Sequence, residues 1–283
     1  MRVTSFREGP VAEAPAPVRG TRPEGADTEA DASRKVREMF TEIAPRYDLL
    51  NHLLSLQLDR LWRARAAKHL QSNFFAPEIH VVEHKPVHVR RETIVLDLCC
   101  GTGDLAIALN RRYWARVIGV DFAHSMLVRA RKKSARQHSP DLVQLRPIRF
   151  IEADALRLPF ASESFDLVTT AFGFRNLANY EAGLREIQRV LKPGGTIAIL
   201  EFTEPPDGRL GNLYRWYFCK VLPKIGGIIS GDRSAYSYLP KSVARFFLPH
   251  ELAALMSAVG YHSVDYRVWT FGTVALHTGV RPK

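Results

Sequence analysis

Val95-Leu96-Asp97-Leu98-Cys99-Cys100-Gly101-Thr102-Gly103-Asp104 runs from an apolar stretch straight into a glycine-containing turn, and the residues that follow carry helical periodicity. Glycine at 101 and 103 lets the backbone turn sharply and lets a ligand approach with no Cβ in the way. Eighteen residues beyond Gly103, Asp121 ends the next apolar run, where a carboxylate can accept bonds from both hydroxyls of a ribose. Asp104 as a helix cap and Asp121 as a turn residue would each account for one acid alone. Their joint spacing describes a site for an adenosine-containing ligand.

The same alternation continues on both sides. Candidate strands are Thr93–Cys99, Val117–Asp121, Ile148–Asp154, Asp166–Thr170 and Thr196–Leu200, with helical segments at Asp104–Arg112, Ser125–Ala135 and Tyr180–Leu191 between them. Pro249 opens a further helix through Leu252, Leu255 and Met256 that Gly260 should end, and His262–Val268 and Val274–Thr278 supply two last strands. Buried apolar strands alternating with amphipathic helices predict an α/β fold, doubly wound, with a mostly parallel seven-stranded Rossmann-like sheet covered on both faces.

Upstream, Val36, Met39, Phe40 and Ile43 recur at helical spacing before Pro45 interrupts, and Leu58, Leu61, Trp62 and Arg65 mark a second helix. The expected organisation is a disordered tail over 1–32, N-terminal helices over 33–70 that cover the site, an insertion loop over 71–92, and a core over 93–283 with a substrate or lid segment near 205–247. In the insertion, His80, His84 and His88 recur every four residues, but Pro86 would break the helix that might align them, so no metal site is expected.

Composition narrows the function classes. No apolar run reaches the roughly 20 residues that span a bilayer, and no basic-then-apolar leader opens the chain, which predicts a cytoplasmic protein. Cys99, Cys100 and Cys219 offer neither a disulfide framework nor a C-x-x-C site. The net charge of +11 favours phosphate backbones or an anionic membrane face, or is simply a solvated basic surface.

Gly101-Thr102-Gly103-Asp104-Leu105-Ala106 also satisfies the G-x-G-x-x-A form of an NAD-type dinucleotide-binding turn, so a dehydrogenase is the rival reading. Asp97, four residues before Gly101, argues against it: a carboxylate there suits the cationic amino group of a methionine moiety and would repel a pyrophosphate. Glu152-Ala153-Asp154-Ala155 ends the third strand, where the Asp154 carboxylate and the Ala155 backbone N–H can bracket an adenine edge. Asp97, Asp121 and Asp154 therefore converge at the carboxyl ends of the strands.

This strand, turn, acid, acid order, followed by Leu191-Lys192-Pro193-Gly194-Gly195, resembles class I methyltransferases. Met39-Phe40-Thr41-Glu42-Ile43-Ala44-Pro45-Arg46-Tyr47-Asp48-Leu49-Leu50-Asn51, Trp62-Arg63, Phe172-Gly173-Phe174-Arg175-Asn176-Leu177 and Leu200-Glu201-Phe202 more narrowly resemble the ubiquinone/menaquinone biosynthesis C-methyltransferase family, from about Val36 to the C-terminus. The resemblance implies methyl transfer from S-adenosyl-L-methionine to a ring carbon of a prenylated quinol, with demethylmenaquinol the first choice and a benzoquinol of the ubiquinone route the second. It implies cofactor contacts from Thr102, Asp121, Asp154 and Ala155, to which the reading of the turn adds Asp97, Gly101 and Gly103. For a ring carbon activated by an adjacent oxyanion, Arg175 suits the anion because its charge is permanent and its donors form a fork, Asn176 can orient the oxygen, and Tyr47 with Asp48 can close over the ring. Two positions depart from the pattern: Cys99 stands where many methyltransferases have Gly, and Ala171 where some relatives have a cofactor-binding Ser.

A prenyl tail needs an apolar route, and residues 213–225 mix aromatics and aliphatics with Lys and Arg as an interfacial helix would, which predicts peripheral contact at the inner face of a membrane. A nucleic-acid methyltransferase would use the same cofactor site, but no RNA-binding module is present and no nucleic-acid partner is expected. A non-catalytic adenosyl-ligand-binding protein and the choice between monomer and homodimer stay open at this level.

Overall fold

The computed structural model describes residues 19–74, 78–82, 85–89, 92–112, 115–136, 146–205, 208–217, 220 and 234–283. Thr28 starts the first helix, α1 (Glu29–Ile43), its side chain accepting from the Asp31 N–H, and Ala32 and Val36 are buried along it. Pro45 then tightens the chain into a single 3-10 turn, Ala44–Arg46, before α2 (Tyr47–Leu54) and α3 (Leu58–Phe74). A hairpin of β1 (Glu78–Val82) and β2 (Lys85–Val89) leads into the core strand β3 (Thr93–Leu98).

From β3 the chain alternates through α4 (Asp104–Arg112), β4 (Ala115–Asp121), α5 (His124–Ala135), β5 (Arg149–Glu152), β6 (Phe165–Ala171), α6 (Tyr180–Val190) and β7 (Leu191–Phe202). After α7 (Arg209–Trp216), α8 (Ser234–Ala244) and α9 (Pro249–Val259) come β8 (His262–Trp269) and β9 (Val274–Val280). The sheet has seven strands in the order β5-β4-β3-β6-β7-β9-β8. β5, β4, β3, β6 and β7 pair in parallel, and β9 enters antiparallel to β7 and β8. The sheet is therefore the doubly wound one the alternation predicts, with N-terminal helices added.

Successive side chains of a strand point to opposite faces, and β3 shows the consequence. Leu96 and Leu98 join one core with Leu184 and Ile187 of α6 and Met256 of α9; Val95 joins the other with Trp62 of α3 and Leu105 and Leu109 of α4. Asp97 shares the face of Val95. α6 is capped by Asn179, which accepts from the Ala182 N–H, and α9 ends at Gly260 in the left-handed conformation, as its sequence predicts.

Two expectations are corrected. Residues 19–32 are not all a disordered tail: Tyr180 N–H donates to Arg19 O, Thr21 N–H to Leu177 O, and the Arg19 guanidinium lies over the Phe247 ring. The tail reading rested on Pro, Ala and Gly content, whereas these contacts depend on partners distant in sequence. The insertion is not a loop in its described part but a two-stranded hairpin that tolerates Pro86, because an edge position there needs no N–H. His84 and residues 1–18 lie outside the described residues, as do 218–219 and 221–225 of the expected interfacial segment. Among the described residues no helix is long and apolar enough to cross a membrane.

Candidate active site

In-register parallel pairing levels the strand ends: Asp97 sits opposite Gly119 of β4 and Thr169 of β6, and Asp121 opposite Glu152 of β5. Side chains at these ends open into a cleft with about 650 Å³ of empty space, walled by Gly101, Asp121, Asp154 and Ala155 on the sheet side. Phe40 and Tyr47 close it from the N-terminal helices, and Gly173 and Asn176 close it from the segment after β6. A smaller hollow of about 300 Å³ adjoins it and is lined by Asp97, Thr102, Arg63, Asp104 and Ala171, with Tyr47, Cys99 and Gly101 shared between the two.

Asp97 is 1% exposed. Its Oδ1 accepts from Thr169 Oγ1 at 2.9 Å, while Oδ2 is buried with no hydrogen-bond partner. Burial, opposed in part by the Thr169 hydroxyl and by the Ala106 amide, which lies near but outside good hydrogen-bond geometry, pushes its carboxyl up to about 7. An unpartnered buried carboxylate oxygen facing a hollow invites a cationic ligand group, since a cation there would remove the desolvation penalty.

The turn after β3 requires left-handed backbone at Gly101 (φ 53°) and Gly103 (φ 83°), and Cys99 adopts φ 53° as well. That conformation is one that glycine adopts without the steric cost a Cβ carries, so Cys99 is strained there. Asp121 Oδ2 accepts from the Gly101 N–H at 2.8 Å and Oδ1 from the Ala123 N–H at 2.9 Å, which fixes the carboxylate while leaving each oxygen a second lone pair. Burial raises Asp121 to about 6, with the Ala123 and Gly101 amides opposing the rise. Asp154 Oδ1 accepts from the Leu156 N–H at 2.9 Å, holding that carboxylate at the cleft wall.

The N-terminal helices are tied over the turn by charge. Thr102 Oγ1 donates to Asp48 Oδ1 at 2.5 Å, and Lys133 Nζ bridges Asp48 and Asp104 at 2.7 Å each. Arg63 Nη1 lies 2.5 Å from Asp59 Oδ2 and 3.9 Å from Asp104 Oδ2; burial works against its charge, but Asp104 and Asp59 more than offset this. Desolvation likewise lifts the Tyr47 hydroxyl above the usual phenol range, with the Arg63 charge opposing.

After β6, Gly173 comes so close to Cys99 that an added Cβ would lie 2.3 Å from the cysteine Cβ, so no other residue fits between the two turns. Arg175 Nη1 donates to Glu201 Oε1 at 2.6 Å and to Phe172 O at 2.5 Å, Nε donates to Ser242 Oγ at 3.3 Å, and the Arg175 N–H donates to Glu201 Oε2 at 3.0 Å. Burial opposes the charge of Arg175, and Glu201 outweighs it, leaving its pKa raised.

Of the sequence-predicted residues, Asp97, Gly101, Thr102, Asp121, Asp154, Ala155, Tyr47 and Asn176 line one or other hollow. Gly103 shapes the turn beneath, against the Phe150 ring. Asp48 braces α2 against the glycine turn from outside the lining. Arg175 is absent from the linings of these two hollows, and its guanidinium pairs with Glu201. Sequence reasoning gave no role to Arg63, Glu201 or Tyr238, whose hydroxyl donates to Asn176 Oδ1 at 3.0 Å. Only Glu201 announced itself, as a carboxylate inside an apolar strand.

Comparison with known proteins gives three findings. The ubiE/COQ5 methyltransferase family profile matches residues 28–281. The chain is 49% identical to the demethylmenaquinone methyltransferase of Thermus thermophilus over 86% of this chain and 100% of that one, and 47% identical to that of Deinococcus radiodurans over 88% and 93%. It is 38% identical to a ubiquinone/menaquinone biosynthesis C-methyltransferase of Geobacter sulfurreducens over 88% and 89%. Among solved structures it is similar to a SAM-dependent methyltransferase of Thermotoga maritima, with TM-score 0.57 and 19% identity over 86% and 99% of the two chains. It is also similar to the [4+2]-cyclase SpnF, with TM-score 0.59 and 17% identity over 88% and 97%. At those identities the structures establish the shared fold alone, and a cyclase among them illustrates why.

Proposed function

The chain belongs to the ubiE/COQ5 methyltransferase family, and on that premise we propose that it transfers a methyl group from S-adenosyl-L-methionine to a ring carbon of demethylmenaquinol. The observation that carries the cofactor assignment is the buried, unpartnered Oδ2 of Asp97 in a hollow next to the glycine turn. A carboxylate so placed fits an ammonium group and disfavours a pyrophosphate, which sets the dinucleotide alternative aside. When bound, S-adenosyl-L-methionine supplies an electrophilic methyl group on a sulfonium centre.

In this reading Asp97 holds the amino group, Asp121 the ribose hydroxyls, and Asp154 with the Ala155 N–H the adenine edge. Thr102 and the Gly101 backbone border the methionine end. Desolvation of Asp121 is relieved at the same time, because hydroxyl donors favour its charged form.

A ring carbon is a weak nucleophile until the adjacent hydroxyl ionises, so the chain must place the ring, exclude water and stabilise the oxyanion. Asn176 lines the cleft, and Tyr47 lines both hollows. Arg175 acts behind them as a positioning residue: its pair with Glu201 and its bond to Phe172 O set the path of the segment that carries Asn176. Asp48 holds α2, and with it Tyr47, over the turn. The prenyl tail needs an apolar exit, and Trp216 at the end of α7 and Phe271 in the turn between β8 and β9, 58% and 73% exposed, are consistent with peripheral contact at a membrane face. The relatives at 47–49% identity carry the demethylmenaquinone name, which favours the naphthoquinol over the benzoquinol.

The test is transfer of labelled methyl from S-adenosyl-L-methionine to chemically reduced short-chain demethylmenaquinone, with the matching benzoquinol in parallel and Asp121→Ala as control. Label in the naphthoquinol that is absent with the variant is the expected result. Cofactor binding with transfer to neither quinol would overturn the substrate assignment.

A further inference from the structure

Residues 19–22 precede the first helix, yet they reach the segment that walls the cleft. Thr21 N–H donates to Leu177 O at 2.8 Å, Tyr180 N–H donates to Arg19 O at 3.0 Å, and Arg22 Nη1 donates to Ala178 O at 2.7 Å. Thr21 is 6% exposed, and its Oγ1 lies 2.8 Å from the hydroxyl of Tyr238 on α8. Tyr238 donates in turn to Asn176 Oδ1 at 3.0 Å. With that proton committed, the Thr21 hydroxyl supplies the other one, and the chain runs Thr21 to Tyr238 to Asn176. Asn176 stands in the cleft wall, and no described residue accepts from its Nδ2.

A side-chain amide has an acceptor face and a donor face, and a half-turn exchanges them. Donors toward the cleft stabilise an oxyanion there, whereas an acceptor repels it. We propose that Tyr238, backed by Thr21, is a positioning residue that holds Asn176 with its Nδ2 toward the cleft, so that the site selects a ring oxygen that is or becomes an anion. The N-terminal segment is then part of the construction of the site. The inference rests on the reading of Asn176 as the group that meets that oxygen. A phenylalanine at 238 would fill the same space without the proton, so the geometry separates orientation from packing.

The test uses Tyr238→Phe, Thr21→Val and Asn176→Ala in the full chain, with two readouts. The first needs no substrate: in protein labelled with ¹⁵N-asparagine, the Asn176 side-chain amide signal is identified by its loss in Asn176→Ala. It should shift in Tyr238→Phe and, by a smaller amount, in Thr21→Val; an unshifted signal in Tyr238→Phe overturns the proposal. The second is turnover of reduced short-chain demethylmenaquinone. Tyr238→Phe and Asn176→Ala should each lower kcat about tenfold, the double variant no further than Asn176→Ala alone, with cofactor affinity and Tm held. Multiplying losses, or a kcat loss matched by a loss of cofactor affinity, overturn it. A shifted signal with normal turnover in Asn176→Ala supports the anchoring and overturns the role given to Asn176; a slow Asn176→Ala with an unshifted signal leaves that role standing and removes Tyr238.

Discussion

Replacing Asp97 by Asn should make the ligand-free protein more stable at pH 8 and less able to hold its cofactor. Asp97 is 1% exposed, and burial lifts its carboxyl from 3.8 to about 7. Between about pH 4 and pH 7 the native chain therefore keeps a proton that the unfolded chain has released, so this group's contribution to stability falls as pH rises through that window. A rise from 3.8 to about 7, at about 1.4 kcal/mol for each pH unit, amounts to about 4 kcal/mol lost by pH 8. Asparagine keeps the shape and an oxygen for the Thr169 hydroxyl, but its amide hydrogens would stand where the buried Oδ2 is, near the Ala106 N–H and with no acceptor, and leaving them unpaired costs about 1–3 kcal/mol. The net gain at pH 8 is on the order of 2 kcal/mol, or about 5 °C in Tm. At pH 4 only the cost remains and the variant should melt earlier. Thermal melts of both proteins from pH 4 to 8, with and without S-adenosyl-L-methionine, check this. The cofactor should stabilise the wild type and leave Asp97→Asn nearly unmoved. A Tm difference that stays constant from pH 4 to 8, or equal stabilisation of both proteins by the cofactor, would refute the reasoning.

Arg175→Ala leaves the Glu201 carboxylate, 1% exposed, with backbone amides but no cation, which should cost about 3 kcal/mol in chemical denaturation. Adding Glu201→Gln should recover most of that loss, and a single variant as stable as wild type would show that the pair does not brace the fold. At position 99, where φ is 53°, Cys99→Gly should be more stable than Cys99→Ala by about 1 kcal/mol, because both remove the sulfur and only alanine keeps the strained Cβ. The reverse order in urea midpoints would show that lost packing dominates. Flotation with anionic liposomes should carry the protein upward at low salt and release it at high salt; protein left at the bottom at low salt would remove the membrane contact.

How much of this was legible in the sequence follows from where each residue's partner lies. β3, the glycine turn, α4 and β4 were readable because period, glycine position and terminal acid are all local, and Asp97 and Asp121 take their places from their own strands. The hairpin at β1 and β2 was not, since Pro86 and the interspersed charges mask a strand that needs few of its own amides. Arg19 to Arg22 read as tail because their partners, Leu177, Ala178 and Tyr180, lie more than 150 residues away.

Arg175 shows the same limit inside the site. Its residue type suited an oxyanion, but its direction was decided by Glu201 on the adjacent strand, and nothing within helical or strand spacing of 175 said so. The other end of the pair did carry a signal. Leu200-Glu201-Phe202 lies in a strand whose neighbours are buried, and a carboxylate in such a place must find a charged or multiple hydrogen-bonding partner. In a parallel sheet the residues level with it lie at the end of the adjoining strand, and Ala171 pairs with Leu200. The nearest cation beyond that end is Arg175. Reading the buried acid first, and asking which base the sheet brings level with it, would have paired Arg175 with Glu201 from the sequence.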